Sequence, residues 1–447
     1  MSSGSSGERA ARLRRWLRPG TGIKRWLLVM FLGLTILATA GALIIRILFR
    51  EVPSHTLAGQ AFELLSLNFL PMPLQPIVVI GAGVAVFVLG LWRLLDVLLE
   101  PFPARQEPLI ELVYQKRSLA RGPRIVAIGG GTGLATLLRG LKGVSSNITA
   151  VVTVADDGGS SGKLRQELGV PPVGDIRNCI AALADAEPAM TALMQYRFPT
   201  RESDPGLAGH AFGNLLIAAM ADIAGDFEEG VRLSNRVLAV RGQVVPVAPR
   251  ALNLNAELAD GTQLEGQSRI MRSRGIRRVW LSPAMVEASP EAVESIRAAD
   301  IIVIGPGSLY TSLLPSLLVP GIRSALEAAP GLRVYVCNVA TQPGETEGYT
   351  LSEHVAALSA HDVGHLIDVV LANDDSSAAA IASPSDRKVE PVRIDLAVSD
   401  ARPRLELAAV VDPDNALRHD PERLTQALVR LLDERPADRP VVPVRSA

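Results

Sequence analysis

From residue 123 onward the chain falls into short, unbroken apolar runs, each closed by glycine, proline or an acid, alternating with stretches of helical period. The runs Ile125–Ile128, Ile148–Val154, Val244–Val247, Val279–Leu281, Ile301–Ile304, Val334–Cys337 and Leu366–Leu371 predict strands. Helices are predicted to start near Leu134, Ile176, Gly213, Pro290, Leu309 and Ser352. Strands that are apolar on both faces and alternate with helices predict a Rossmann-like α/β fold: a mostly parallel sheet with helices on both faces. Leu254–Leu258 and Gln263–Glu265 flank Asp260-Gly261, the pattern of a hairpin insertion. Asp420-Pro421 supplies an N-cap and first-turn pair for an amphipathic helix running to about Leu432. The Ser/Ala-rich stretch 376–385 predicts a loop, and the tail from Arg435 is rich in Pro and Arg.

Two longer apolar runs precede this region. Trp26–Ile45 has 20 residues without a charge, and Pro76–Trp92 has 17 without a charged or amide side chain. Each can cross a hydrocarbon core, the second near the lower limit, where a buried helix is the competing reading. Arg9, Arg12, Arg14, Arg15, Arg18, Lys24 and Arg25 precede the first run, and Arg93, Arg105, Lys116, Arg117 and Arg121 follow the second. The intervening loop carries only Arg46 and Arg50, at the edge of the span. The positive-inside rule then predicts a multi-pass protein of the cytoplasmic membrane, anchored by a transmembrane helical hairpin, with both termini and the main domain in the cytoplasm. The expected organisation is a basic arm (1–25), the hairpin (26–95), a Pro- and charge-rich linker (96–122), a nucleotide-binding domain (123–395) and a C-terminal helix with a tail (396–447). The SSGSSG start resembles a cloning linker and carries no weight in this reading.

Composition narrows the function. A formal net charge of −1 gives no basic field for nucleic acid. Two cysteines exclude a disulfide framework, and six scattered histidines without paired spacing give no metal signature.

The densest chemistry follows the first two strands of the domain. Ile125–Ile128 runs into Gly129, Gly130, Gly131, Thr132 and Gly133, a helix follows, and the next strand ends in Asp156-Asp157. Glycines let the backbone approach a phosphate, and the helix N-terminus favours negative charge. An acid at the tip of the second strand suits a ribose hydroxyl. In either register of GxGxxG the third glycine is replaced, by Leu134 or by Thr136, which disfavours a dinucleotide oxidoreductase. Ser160-Ser161-Gly162-Lys163 fails as a Walker A loop, because Asp157 and Leu164 stand where that loop needs Gly and Ser or Thr.

Other polar clusters fall at strand ends or helix starts, where open α/β sheets bind ligands. They are Gly158, Gly159, Ser160, Ser161 and Gly162, expected to form an adaptable loop; Asp175, Arg177 and Asn178; His210 and Asn214; Gly307, Ser308, Tyr310 and Thr311; Asn338; and Asn373. Singly, Asp175 reads equally as a helix cap and His210 as a satisfied core histidine. Together they outline a phosphate-binding edge. Asp156 and Asp157 are the candidate magnesium ligands, or one of them is a ribose partner, and the residues leave both readings open.

The segments GGGTGLATLLRGLK, TVADDGGSSGKLR, PPVGDIRNC, GHAFGNLL, GPGSLYTSLLP and CNVATQPGETEGYT stand in the order seen in the YvcK-type gluconeogenesis factors. That family in turn resembles CofD, the transferase that moves a 2-phospholactyl group from a nucleotide-activated donor to a deazaflavin alcohol. The resemblance spans Arg124 to Asn373. It implies binding of a UDP-sugar such as UDP-N-acetylglucosamine, and a role in cell shape and wall precursor supply during gluconeogenic growth. Resemblance to the transferase implies instead transfer of a phospholactyl or phosphoenolpyruvyl group, with Asp157 at the place of the acceptor-side carboxylate and as candidate base. The ligand set expected is therefore a nucleotide diphosphate with magnesium, the membrane is the expected macromolecular partner, and self-association into a homo-oligomer is left open.

The charge asymmetry predicts that a reporter inserted within Gly59–Gln75 is accessible from outside the cytoplasmic membrane. Protection of that reporter with both termini exposed outside would reverse the topology.

Overall fold

The computed structural model describes residues 117–199, 207–374, 389–396 and 403–434, together with the isolated positions 34, 35, 38, 41 and 71. The chain divides after Gln115 into two units, and the second, Lys116–Ala447, holds the elements numbered here. The predicted transmembrane hairpin lies outside the described residues apart from those isolated positions. Among the described residues no helix is long and apolar enough to cross a membrane.

In chain order, β1 (Ile125–Gly129) leads to α1 (Gly131–Leu141) and β2 (Ile148–Val152). Four helices follow: α2 (Gly159–Leu168), α3 (Gly174–Leu183), α4 (Glu187–Gln195) and α5 (Phe212–Ala224). Then come α6 (Phe227–Val237), β3 (Gln243–Pro246), β4 (Leu254–Leu258), β5 (Gln263–Glu265), the single turn α7 (Gln267–Ile270) and β6 (Ile276–Leu281). The second half runs α8 (Pro290–Ala298), β7 (Ile301–Ile304), α9 (Pro320–Ala328), β8 (Leu332–Val336), α10 (Leu351–Ala360), β9 (Val369–Asn373) and β10 (Arg404–Ala408). The chain closes with β11 (Val411–Asp412), β12 (Asn415–His419) and α11 (Pro421–Asp433).

Seven strands form one parallel sheet in the order β10-β9-β8-β7-β1-β2-β3. Every residue of β1, β2 and β7 is buried, as continuous apolar runs covered on both faces require. From β1 the chain steps outward through β2 and β3, then returns to build β7, β8, β9 and β10 on the other side. The switch point therefore lies between β1 and β7, where Ile125 is paired with both Ile148 and Ile301. In open α/β sheets a ligand crevice opens beyond the strand ends at such a point.

Four sequence expectations change. Val279–Leu281 belongs to β6, which pairs antiparallel with β4 in a separate three-stranded sheet with β5. Its exposed Arg277 and Arg278 between buried Ile276 and Val279 mark a strand with one wet face. The last strand of the core is shifted to Val369–Asn373, because Gly364–Leu366 forms a 3-10 turn. The glycine- and serine-rich stretch after Asp157, expected as a loop, is the helix α2 from Gly159. Last, the fold does not stop at 395: Arg404–Ala408 adds an edge strand beside β9, and α11 packs on α1.

The α1–α11 contact is close because Gly140 has no side chain. A Cβ there would collide with the Pro421 carbonyl and the buried Thr425 hydroxyl. Gly140→Ala is therefore expected to destabilise the fold by about 2 kcal/mol, the usual size of an overpacking penalty. Chemical denaturation would register it, with faster amide exchange concentrated in α11. Wild-type stability would show that α11 is not docked as described.

Candidate functional site

Two glycine turns meet at the switch point. After β1 the backbone is extended at Gly130 (φ −170°) and left-handed at Gly131 (φ +68°), where α1 begins. A Cβ on Gly133 would lie 2.7 Å from the Pro306 carbonyl oxygen, and one on Gly307 would lie 3.4 Å from the Gly130 carbonyl oxygen. The turns thus pack backbone against backbone. Asn338, at the end of β8, clamps the second turn by accepting from Gly307 N (3.1 Å) and donating to Gly307 O (2.9 Å). Gln342 donates to Ser308 Oγ at 3.0 Å.

A cavity of about 290 Å³ opens over these turns. Its wall includes Gly130, Gly131, Thr132, Gly133, Asn178, Gly307, Ser308 and Asn338, as the sequence anticipates. It also includes Thr136, Arg139, Gln195, Gln342 and, from the C-terminal hairpin, Leu417, Arg418 and His419. Among the described residues no Asp or Glu lines it, whereas Arg139 and Arg418 do. The first turn of α1 carries no acid and Gly130 gives it no side-chain cap, so its N-terminal end favours an anion. Thr132, Thr136 and Arg139 sit four and three residues apart, on one helix face, a spacing that could have marked Arg139 in the sequence. Nothing local marks Leu417–His419, which come back from the far end of the chain.

Beneath the first turn, three sequence motifs converge into one polar network. Arg177 donates to Asn214 Oδ1 (3.0 Å) and Asn178 Oδ1 (3.1 Å). Asn214 donates to Ser160 Oγ (3.1 Å) and Ser161 Oγ (3.3 Å). Ser160 Oγ also lies 3.2 Å from His210 Nδ1 and accepts from Ala211 N at 3.2 Å. Arg177, His210, Asn214, Ser160 and Ser161 are all buried. They are held by the N-terminal turns of α2, α3 and α5 and by the residues just before α5. Two buried polar atoms here have no partner, Arg177 Nε and Thr153 Oγ1.

The acids divide. Asp175 accepts from Gly131 N, and its carboxylate fills the space a Cβ on Gly130 would need. Burial, and then the charge of Asp156, push its carboxyl up to about 6. Asp156 accepts from Gly158 N at 2.9 Å, and its carboxyl is likewise raised, chiefly by burial. Asp157 turns elsewhere: it accepts from Ser268 N at 2.7 Å and lies against Gly266. It borders a separate depression of about 340 Å³ with Arg165, Asn253 and Arg269. The charge of Asp156 thus bears on Asp175 below the glycine turn, while Asp156 itself is bounded by Gly158, Ser161 and Arg177.

Three expected site residues are committed to the framework instead of the cavity wall. Tyr310 N donates to Glu345 Oε2 (3.1 Å), and the Tyr310 hydroxyl pairs with Tyr349 (3.0 Å). Thr311 donates to Glu345 Oε1 at 2.5 Å. Asn373 accepts from Val410 N at 3.2 Å and so anchors the segment after β10. Their polar groups satisfy buried backbone and a buried carboxylate, a demand that sequence position does not reveal. Among the described residues no group of three or more His, Cys, Asp or Glu could hold a metal ion.

Residues 125–411 match the family described as "2-phospho-L-lactate transferase CofD". The chain is 45% identical to the gluconeogenesis factor of Bacillus subtilis over 325 residues, which are 71% of this chain and 100% of that protein. A Nostoc sp. protein, whose gluconeogenesis-factor designation is provisional, is 47% identical over 426 residues, 93% of this chain and 92% of its own. A solved structure of a Bacillus halodurans protein superposes with a TM-score of 0.64 at 44% identity, covering 69% of this chain and 100% of that one.

The raised Asp175 carboxyl makes a pH-dependent prediction. Its pKa of about 6 lies above the unfolded value near 3.9, so between those values the folded chain binds more protons. Asp175 therefore costs the fold stability as pH rises from about 4 to 6, and Asp175→Asn removes that cost while keeping an acceptor for Gly131 N. Relative to wild type, the variant should gain roughly 2 kcal/mol between those pH values, read from urea denaturation at each pH. A difference independent of pH would place Asp175 in water.

Proposed function

The chain belongs to the CofD family, in its gluconeogenesis-factor branch, and on that footing we propose that it is a regulator that binds a nucleotide diphosphate sugar of the UDP-sugar class. The observation that carries this reading is the cavity at the β1/β7 switch point: two glycine turns, a helix N-terminus, two arginines and, among the described residues, no carboxylate in its wall. A wall whose described residues include cations and amide donors but no acid suits a diphosphate, which would share Arg139 with Glu187. Arg139 is oriented by an ion pair with Glu187, which also holds Lys142. Through the ligand, the reading couples this site to wall precursor supply and cell shape during growth on gluconeogenic carbon.

A second reading has its own support in Asp156 and Asp175. In it, an acceptor alcohol oxygen forms a bond to the β-phosphorus of an activated phospholactyl or phosphoenolpyruvyl donor. The bond from that phosphorus to the bridging oxygen breaks, the nucleoside monophosphate leaves, and the alcohol proton passes to a carboxylate. Asp175 or Asp156, beside the glycine turn, suits the base role better than Asp157, which is engaged by Ser268. Asp156 and Asp175 would be the residues to hold a magnesium ion, which would neutralise charge on the transferred group.

A melting screen of UDP-, GDP- and dinucleotide ligands tests the first reading. A ligand at 100 times its dissociation constant is expected to stabilise wild type by about 2.7 kcal/mol. Arg139→Gln should weaken binding roughly tenfold, the size of one charge-assisted contact. If no nucleotide diphosphate shifts the melt, the regulator reading fails. Release of a nucleoside monophosphate from a labelled donor would favour transfer.

A further inference from the structure

Two side-chain amides in the cavity wall have their orientation fixed by a buried cation behind them. Asn178, on α3, and Gln195, at the end of α4, both line the cavity. A guanidinium carries only N–H donors, so the buried Arg177 can meet the Asn178 amide only at its oxygen, and it does so at 3.1 Å. That bond decides which end of the Asn178 amide is oxygen. Gln195 reaches the same oxygen at 3.2 Å, and must therefore turn its own NH2 group towards it. One cation thus sets both amides, and Arg177 is itself held by Asn214.

What this leaves over is chemically specific. Among the described residues nothing accepts from Asn178 Nδ2 and nothing donates to Gln195 Oε1. The fold uses only the oxygen of Asn178, a demand that an aspartate would meet equally, so the NH2 group is surplus to the framework. The pair offers a free donor beside a free acceptor. A phosphate oxygen can only accept, and would face the lone pairs of Gln195 Oε1. A hydroxyl both donates and accepts, so hydroxyls satisfy the two amides together.

The two flanks of the cavity differ. The helix that carries Asn178 packs on β2 and β3, to one side of the switch point, whereas Val339 and Ala340 follow β8 on the other. That second flank, with Val389, is apolar. A nucleotide diphosphate sugar laid over the glycine turns has two unlike ends, a hydroxyl-rich ring and a flat base with apolar faces. The amides match the first, and the apolar flank matches the second.

We infer that Asn178 and Gln195 form the subsite for the sugar ring of the ligand. Asn178 Nδ2 donates to its hydroxyls, Gln195 Oε1 accepts from them, and Arg177 is the positioning residue behind the pair. This role rests on the nucleotide-sugar reading of the cavity. It adds which way the ligand lies, and which residues tell a nucleotide sugar from the bare nucleotide.

The test compares wild type, Asn178→Ala and Gln195→Met in the full chain by titration calorimetry and thermal melting, with UDP and UDP-glucose as probes. The probes share uridine and diphosphate and differ in the hexose. Wild type should bind UDP-glucose more tightly than UDP. Each variant should bind UDP within about threefold of wild type, and UDP-glucose about tenfold or more weakly, the size of one lost hydrogen bond. Gln195 is exposed, so Gln195→Met decides the question even if Asn178→Ala, which leaves Arg177 short of an acceptor, fails to fold. A merely structural role lowers the melting temperature and leaves the ratio of the two affinities unchanged, which would overturn the proposal. Equal weakening of both probes would assign the pair to the phosphates or the ribose and overturn it as well. Equal binding of UDP and UDP-glucose by wild type would overturn it and leave the nucleotide reading intact. No binding of either probe by wild type would overturn both.

Discussion

The backbone of the turn after β1 packs directly on the backbone of the turn after β7, with no side chain between them. Gly133 meets the Pro306 carbonyl so closely that no Cβ would fit, and Gly307 lies against the Gly130 carbonyl. This contact lies where the strand order reverses, the place at which open α/β sheets leave a ligand crevice. It also decides what the site can bind. Two turns stripped of side chains leave amide groups and a helix terminus as the floor of the cavity, and those favour negative charge. Asn338 and Gln342 then hold the second turn through side-chain hydrogen bonds, so the floor is rigid before any ligand arrives.

Around that floor the protein concentrates polar groups that are expensive to bury. Asp156, Asp175 and Arg177 lie close enough to shift one another, and the amide and hydroxyl groups of Asn214, Ser160 and Ser161 complete the network. A fully connected polar network is tolerable in a low-dielectric interior, and it rigidifies what it touches. Here it touches the glycine turn itself, through the bond from Gly131 N to Asp175. The cavity side is treated differently: among the described residues it keeps Arg139 and Arg418 but no acid. Carboxylates under the turn and cations over it separate the charges that build the loop from the charges available to a ligand.

The sequence by itself determined the architecture and the floor of the site. Unbroken apolar runs closed by glycine cannot form anything but buried strands with tight turns, so β1, β2, β7 and β8 and the two glycine turns were legible, and so was the motif order that marks the family. Local patterning also identified the β4–β5 hairpin and the cap of α11, because turn and cap chemistry act over three or four residues.

What the tertiary structure decided was the direction of side chains and the return of distant segments. Asp156 and Asp157 are adjacent in the chain, yet Asp157 is taken by Ser268, 111 residues away, while Asp156 accepts from Gly158 N and its charge raises the Asp175 carboxyl. Tyr310 and Thr311 stand beside a phosphate-type turn but serve the buried Glu345. Arg404–Ala408 became the edge strand of the sheet by pairing with β9, a partner invisible in those five residues. That strand and α11 bring Arg418 and His419 to the cavity, across a separation at which no sequence period survives. Spacing encodes contacts within one element, whereas contacts between elements depend on how the whole chain packs, and the wall of this site is built from those.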